Sequence, residues 1–243
     1  MSLKKIVKKL IFKEKADSDT YIKYLKDKGV RIGDRVTIYE PRSNVIDVIR
    51  PWMIEIGNDV KITYGVTILT HGYDWSVLAG KHDVVLGSSG KVKIGNNVFI
   101  GMHSTILKGV NIGNNVIIGA NSLVNKDVPD DVVVAGNPAR VIMSVEEYYE
   151  KHKAMQKEEA LELYVNYRDV YEKNPPKEVF SEFFWLFQND SEELHPSFKK
   201  QMSHHGRYDE TLVNLKNSTP EFPSYEEFVY WLDNEYEKNR KIN

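Results

Sequence analysis

Isoleucine recurs at Ile94, Ile100, Ile106, Ile112 and Ile118, every sixth residue, and Val124 closes the run. Glycine follows four of the five, as Gly95, Gly101, Gly113 and Gly119. Four places after each aliphatic residue stand Val98, Ser104, Val110, Val116, Ser122 and Val128, all small or β-branched. A helix repeats near 3.6 residues and a flat strand near 2, so a strict six suits neither. It suits a parallel β-helix of hexapeptides, in which each aliphatic side chain points inward and stacks on its counterpart one coil away. The glycine is expected to let the backbone turn each corner. Three hexapeptides close one triangular coil, so equivalent residues stand eighteen apart in sequence and ~4.8 Å apart in space.

The phase begins earlier, at Ile32-Gly33, Val36 and Ile38, and resumes at Ile56-Gly57, Val60, Ile62, Val66 and Ile68. Three hexapeptide lengths separate Ile38 from Ile56, so one whole coil is expected across the degenerate stretch PRSNVIDVIRPWMIE. The step from Ile68 to Ile94 is not a multiple of six. Residues 71–91 must therefore hold a loop that leaves the coil surface, and loops on a rigid scaffold are where chemistry concentrates. Residues 29–143 read as the β-helix with this insertion, closing in a last strand and turn over VVVAGNPAR and VIM.

The 243 residues leave room for flanking segments. Residues 1–28 read as helical, with Leu3, Ile6, Val7, Leu10 and Ile11 on one face at helical spacing and lysines opposite. This helix is expected to cap the open end of the β-helix, whose terminal coil otherwise exposes apolar surface and strand edges. A basic amphipathic helix also suits weak contact with an anionic membrane surface. Lysines break up the apolar stretch of MSLKKIVKKLIFKEK, so no signal peptide is expected. No apolar run approaches the ~20 residues of a membrane span.

Residues 144–243 read as a helical extension. Ser144 and Glu147 form a capping box opening a helix to about Tyr171, stopped by Asn174-Pro175-Pro176. Ser224 and Glu227 form a second box. The aromatic group Phe183, Phe184, Trp185 and Phe187 is expected to pack on the β-helix or on a neighbouring subunit. A formal net charge of −2 gives no basis for a nucleic-acid partner. The absence of cysteine excludes disulfides, a thiolate nucleophile and a cysteine–zinc site, and fits a reducing, cytoplasmic location.

The pieces IGNDVKITYGVTILTHGYD, KIGNNVFIGMHSTILKGVNIGNNVIIGANSLVNKDVP and VVVAGNPARVI resemble the hexapeptide-repeat acyltransferases. The resemblance is nearest to the branch of maltose, galactoside and xenobiotic acetyltransferases and many polysaccharide O-acetyltransferases, and it covers a little under half of the chain. It implies a homotrimer of left-handed β-helices, with acetyl-CoA lying in a groove between adjacent subunits and no metal required. It also implies a loop histidine acting as general base on an acceptor hydroxyl.

His71 fills that place, just beyond Ile68 at the mouth of the loop. An imidazole with an ordinary pKa of about 6.5 can accept a proton at neutral pH, and attack on a thioester needs such a base. Asp74 is a candidate to orient the imidazole or hold the acceptor sugar, and Trp75 to stack on it. Asn44, upstream of His71, stands close to where galactoside-type enzymes place an acceptor-binding asparagine, and Asp47 competes for that task. The resemblance sets the pantetheine arm along Met102, Gly119 and Ala120. It sets the CoA phosphates near Lys126 and Arg140, two cations suited to a polyphosphate.

The expected activity is direct acetyl transfer from acetyl-CoA to a sugar hydroxyl, in a surface polysaccharide or its precursor. An amino-sugar acceptor, or a catalytically silent scaffold, are the alternatives. γ-Class carbonic anhydrases share the fold but need three histidines around a subunit interface; His71, His82 and His103 do not match the spacing this requires. His204-His205 in the helical tail lack carboxylate or cysteine ligands nearby.

Overall fold

The computed structural model describes residues 3–188, 194–204 and 206–242; His205 and the side chains of Leu3 and Ile6 lie outside the described residues. The chain forms two compact units, Met1–Tyr148 and Tyr149–Asn243. In the first, short strands stack into three sheets that the chain visits in rotation. One sheet stacks Arg31–Ile32, Ile54–Ile56, Val92–Ile94 and Asn111–Ile112. The next stacks Thr37–Ile38, Lys61–Ile62, Val98–Ile100, Val116–Ile118 and Val132–Ala135, and the third Val45–Ile46, Thr67–Ile68, Thr105–Ile106 and Leu123–Val124. Every pairing among these strands is parallel; Arg140–Ser144 alone adds antiparallel, against Val132–Ala135.

The six-residue phase produces this stack directly. Ile94, Ile100 and Ile106 pair with Ile112, Ile118 and Val124, each one regular coil of three hexapeptides further on. All six are buried, as are Val98, Ser104, Val110, Val116 and Ser122. Each inward isoleucine contributes roughly 1.5–3 kcal/mol by burial. The glycines act differently from the expectation. The left-handed backbone at the corners falls two residues later, at Asn97 (φ 55°) and Asn115 (φ 54°), residues whose short polar side chains tolerate it. Glycine is required for space instead: a Cβ at Gly95 would stand 2.4 Å from the carbonyl oxygen of Gly113 on the next coil. The asparagine after each of these glycines bridges coils, Asn114 Oδ1 accepting from the Asn96 amide at 2.9 Å and Asn96 Oδ1 from the Asn58 amide at 2.8 Å.

The first coil corrects the count across the degenerate stretch. Ile32 pairs with Ile56 and Ile38 with Ile62, so this coil is four hexapeptide lengths long rather than three, and Ile38 and Ile56 lie in different sheets. Two of the six extra residues enter the corner before Val45 and four enter the turn after Ile46, where Pro51–Met53 forms one 3-10 turn. Stacking follows which aliphatic side chain finds an inward place, and residues 45–49 (VIDVI) offered more than one phase. The second irregularity falls as expected: Ile68 pairs with Ile106, more than two regular coil lengths further along the chain. The extra length is the loop after Ile68.

Helix α1 (Leu3–Phe12) and helix α2 (Ser18–Lys28) precede the coils. The cap is α2, whose Tyr21 and Leu25 join the isoleucine core. Asp17 accepts from the Thr20 amide at 2.8 Å at its start, and Gly29 (φ 111°) ends it. Of the segment 1–28 expected to cap the coil, α2 does so, whereas Val7, Leu10 and Ile11 belong to neither core and stay exposed. Helix α3 (Trp75–His82) lies within the loop.

The second unit holds helices α4 (Val145–Tyr171, which begins at the end of the first unit), α5 (Pro196–Ser203), α6 (Tyr208–Asn217) and α7 (Tyr225–Ile242). The Ser144 box forms: its hydroxyl accepts from the Glu147 amide at 3.1 Å and its amide donates to the Glu147 carboxylate at 2.7 Å. Phe184 and Phe187 are buried with Tyr164, Phe180, Phe198 and Phe228 in a core belonging to this unit itself. The group was expected on the β-helix or a neighbouring subunit; within this unit, stacked pairs with centroids 4.8 and 4.9 Å apart, Phe187 on Phe228 and Phe184 on Phe198, already bury it. Among the described residues no helix is long and apolar enough to cross a membrane.

Candidate active site

The third sheet delivers His71. After Thr67–Ile68 the chain runs through Thr70 to His71, which bridges antiparallel to Ser89 and closes the stem of the loop. Backbone bonds from Gly72 to the Ser88 carbonyl (3.2 Å) and from Gly90 to the Thr70 carbonyl (2.9 Å) pin the same stem. His71 is thus held on rigid backbone at the loop's base, its side chain 10% exposed. Tyr73 meets its ring edge-on at 5.1 Å, and Trp75 lies tilted 6.3 Å from Tyr73.

Asp47 is the partner of the imidazole. Its Oδ2 lies 2.7 Å from His71 Nδ1 and also accepts from the Thr70 amide at 3.1 Å and from the Thr70 hydroxyl; its Oδ1 accepts from the Ile49 amide at 2.8 Å. Burial pushes the carboxyl up, but the Thr70 hydroxyl, the Ile49 and Thr70 amides and His71 together outweigh it and hold the pKa below the ordinary carboxylate value. An ionised Asp47 accepts a hydrogen bond from Nδ1–H, which leaves the lone pair on Nε2. Among the described residues Nε2 has no hydrogen-bond partner.

The other acceptor-site candidates separate. Asn44 is fully buried: its amide donates to the Tyr39 carbonyl (2.7 Å) and the Glu40 carbonyl (3.2 Å), and its oxygen accepts from the Val66 amide (2.8 Å). The expectation that Asn44 binds an acceptor is corrected, since its polar atoms are spent on the corner before Val45. Asp74 is exposed at the start of α3 with its carboxylate against Gly72, and the imidazole is oriented by Asp47 instead. His82 ends α3 in the loop, and His103 stands at an outer corner edge-on to Tyr64 at 5.1 Å. Among the described residues no three histidine, aspartate or glutamate side chains are grouped to hold a metal ion.

Met102, Gly119 and Ala120 share one corner, between the second and third sheets. The Asn121 amide donates to the Met102 carbonyl at 2.7 Å, and a Cβ on Gly101 would meet the Ala120 amide at 2.6 Å. Lys126 and Arg140 line one cavity of about 190 Å³ with Asp127 and Ala139. Lys126 follows Leu123–Val124, so it occupies the corner that His71 occupies, two coil steps on through Ile68, Ile106 and Val124. Thr70 and Tyr73, which hold and flank the pair, had no signal in the sequence beyond their adjacency to His71.

The first unit is thus a stack of short parallel coils with an imidazole–carboxylate pair at the mouth of its long loop. Residues 91–126 match the family described as bacterial transferase hexapeptide (six repeats). The chain is 54% identical to protein CapG of Staphylococcus aureus over 101 residues, 42% of this chain and 58% of that one. It is 38% identical to the galactoside O-acetyltransferase of Escherichia coli over 100 residues, 41% of this chain and 48% of that one. Among solved structures, the hexapeptide-repeat acetyltransferase VCA0836 of Vibrio cholerae, complexed with acetyl coenzyme A, is similar with a TM-score of 0.41 and 32% identity, covering 48% of this chain and 61% of that one. The chain thus spans about half the length of the two curated relatives.

Proposed function

We propose that this chain is an acetyl-CoA-dependent O-acetyltransferase acting on a sugar hydroxyl, by direct transfer with His71 as general base. The observation that carries the reading is the Asp47–His71 contact at 2.7 Å at the loop mouth. Asp47 fixes the ring and its tautomer; Nε2 takes the proton of the acceptor hydroxyl as its oxygen attacks the thioester carbonyl, and returns that proton to the departing thiolate. Asp47 stabilises the imidazolium in between. The similarity to a galactoside O-acetyltransferase favours a sugar as acceptor, and in this reading the sugar belongs to a surface polysaccharide or its precursor. Trp75 and Asp74, in the loop beside the base, suit such a ring and its hydroxyls.

Lys126 and Arg140 would take the CoA phosphates, and the corner of Met102, Gly119 and Ala120 the pantetheine arm. His71 and that corner stand one coil side apart, roughly 20 Å for six extended residues. A neighbouring copy brings its own small-residue corner to His71, so we assign a homotrimer of left-handed β-helices with the site between subunits. Lys126, two coil steps or ~10 Å along the same corner, lies in the direction an extended cosubstrate would take from the thioester. Acetyl-CoA as donor places the reaction in the cytoplasm.

The test is acetyl transfer from acetyl-CoA to a panel of sugars, nucleotide sugars and amino sugars, with sedimentation to give the assembly mass. Transfer to a hydroxyl, loss of ~10²–10⁴ in kcat in His71→Ala, and a mass near three times 28.1 kDa are expected. Absence of CoA binding to the wild type in calorimetry would leave a silent scaffold; retained turnover in His71→Ala would remove the base.

A further inference from the structure

Among the described residues, the apolar side chains Val7, Leu10 and Ile11 of helix α1 take no part in the core that α2 closes. Val7, Leu10 and Ile11 are 46%, 74% and 64% exposed. Single exposed apolar residues are ordinary, but these fall at spacings of three and four on one helix face, which Leu3 and Ile6 continue in the sequence. The end of the helix is fastened to the scaffold by Phe12, whose ring lies 4.4 Å from the Arg42 guanidinium.

Charge is arranged about this stripe. Residues 1–13 carry Lys4, Lys5, Lys8, Lys9 and Lys13 and no acidic residue, a charge of +5. The whole chain carries −2, so residues 14–243 carry −2 − 5 = −7. The cationic segment is therefore a local exception on an acidic protein, and it coincides with the uncovered apolar stripe. An anionic bilayer matches both features at once: its acyl boundary receives the stripe, and its headgroups attract the lysines. We propose that α1 lies in the surface of an anionic lipid bilayer and holds the protein there reversibly. So short a stripe gives weak insertion by itself, and the binding depends on the lysines acting with it.

This inference is independent of the acetyl-transfer reading, and its test uses no CoA. The full chain is sedimented with phosphatidylcholine vesicles and with vesicles in which half the lipid is phosphatidylglycerol. Pelleting is expected with the anionic vesicles only, and is expected to fall to background in salt well above physiological strength. Lys8→Gln and Lys13→Gln should each lower the partition by roughly fivefold, and Leu10→Glu should abolish it, with circular dichroism and thermal unfolding unchanged because all three residues are exposed. Equal pelleting with neutral vesicles, no pelleting with either, or full pelleting of Leu10→Glu overturns the proposal. A lower assembly mass for Leu10→Glu also overturns it, by giving the stripe to a second copy of the chain.

Discussion

Replacing Asp47 by asparagine separates the charge of this residue from its geometry. The carboxylate faces two sides: Oδ2 serves the Thr70 amide, the Thr70 hydroxyl and His71 Nδ1, while Oδ1 serves the Ile49 amide. A carboxamide has one oxygen. Turned towards Ile49, it would set an NH₂ group against the amide of Thr70, which is fully buried, at about 1–3 kcal/mol for the lost bond. Turned towards Thr70 and His71, it keeps three of the four bonds and abandons only the Ile49 amide, nearer to solvent. The second orientation wins, and the tautomer with the proton on Nδ1 survives. What is lost is the charge facing the imidazolium: the difference between an ionic and a neutral hydrogen bond, about 1–1.5 kcal/mol, or roughly tenfold in kcat. Asp47→Ala loses the orientation as well and leaves the Thr70 amide unpaired, so it should cost about 10²-fold or more in turnover and about 1–3 kcal/mol of stability. Steady-state transfer rates, urea unfolding and calorimetry with CoA on both variants check this, with CoA affinity unchanged throughout. Turnover of Asp47→Asn equal to wild type would refute the role of the charge. A loss in Asp47→Asn as deep as in Asp47→Ala would refute the orientation argued for the amide.

The lowered pKa of Asp47 makes its stability contribution pH-dependent: it is complete above the ordinary carboxylate value of about 4 and is lost as pH falls through the lower folded value. Urea unfolding of wild type and Asp47→Asn should therefore differ at neutral pH and converge under strong acid. Lys126→Ala and Arg140→Ala should each weaken acetyl-CoA by about 1.5 kcal/mol, the low end for bonds to charged groups because both side chains are exposed, with kcat little changed since contacts remote from the thioester are equal in ground and transition states. A fall in kcat at constant affinity would move them out of the phosphate site. Gly95→Ala should cost about 1–3 kcal/mol by thermal unfolding, because its Cβ would press on the Gly113 carbonyl, whereas Gly87→Ala, with nothing within 4 Å, should be neutral. Equal effects of the two would mean that the coils can part freely.

The coils were legible because their period belongs to no other structure: once Ile94 to Val124 are in phase, inward stacking follows, and the regular register does occur there. Legibility failed where several residues could serve. At Val45, Ile46, Val48 and Ile49 any of four aliphatics could have pointed inward, and only packing selects Ile46. The α1 face was readable as amphipathic, but amphipathicity does not say what covers a face. Tyr21 and Leu25 closed the coil instead, with a helix whose pattern is less pronounced.

The candidate site shows the same division. The phase shift located the loop after Ile68, and the resemblance to hexapeptide acyltransferases singled out His71 at its mouth. Asp47 was noticed only as an acceptor-binding candidate, whereas its carboxylate stands 2.7 Å from His71 Nδ1. Ile46 stacks beneath Ile68, whereas a regular coil of three hexapeptides would have put Arg50 there and carried Asp47 away from the imidazole. Only when the extra residues of the first coil are taken out of the corner and the turn does the carboxylate come under the ring. The irregular stretch between Ile38 and Ile56 therefore has a use in the reading proposed here: it shifts one acidic side chain along the third sheet until it meets the base. Restoring a regular first coil would keep the fold's period and lose the pair.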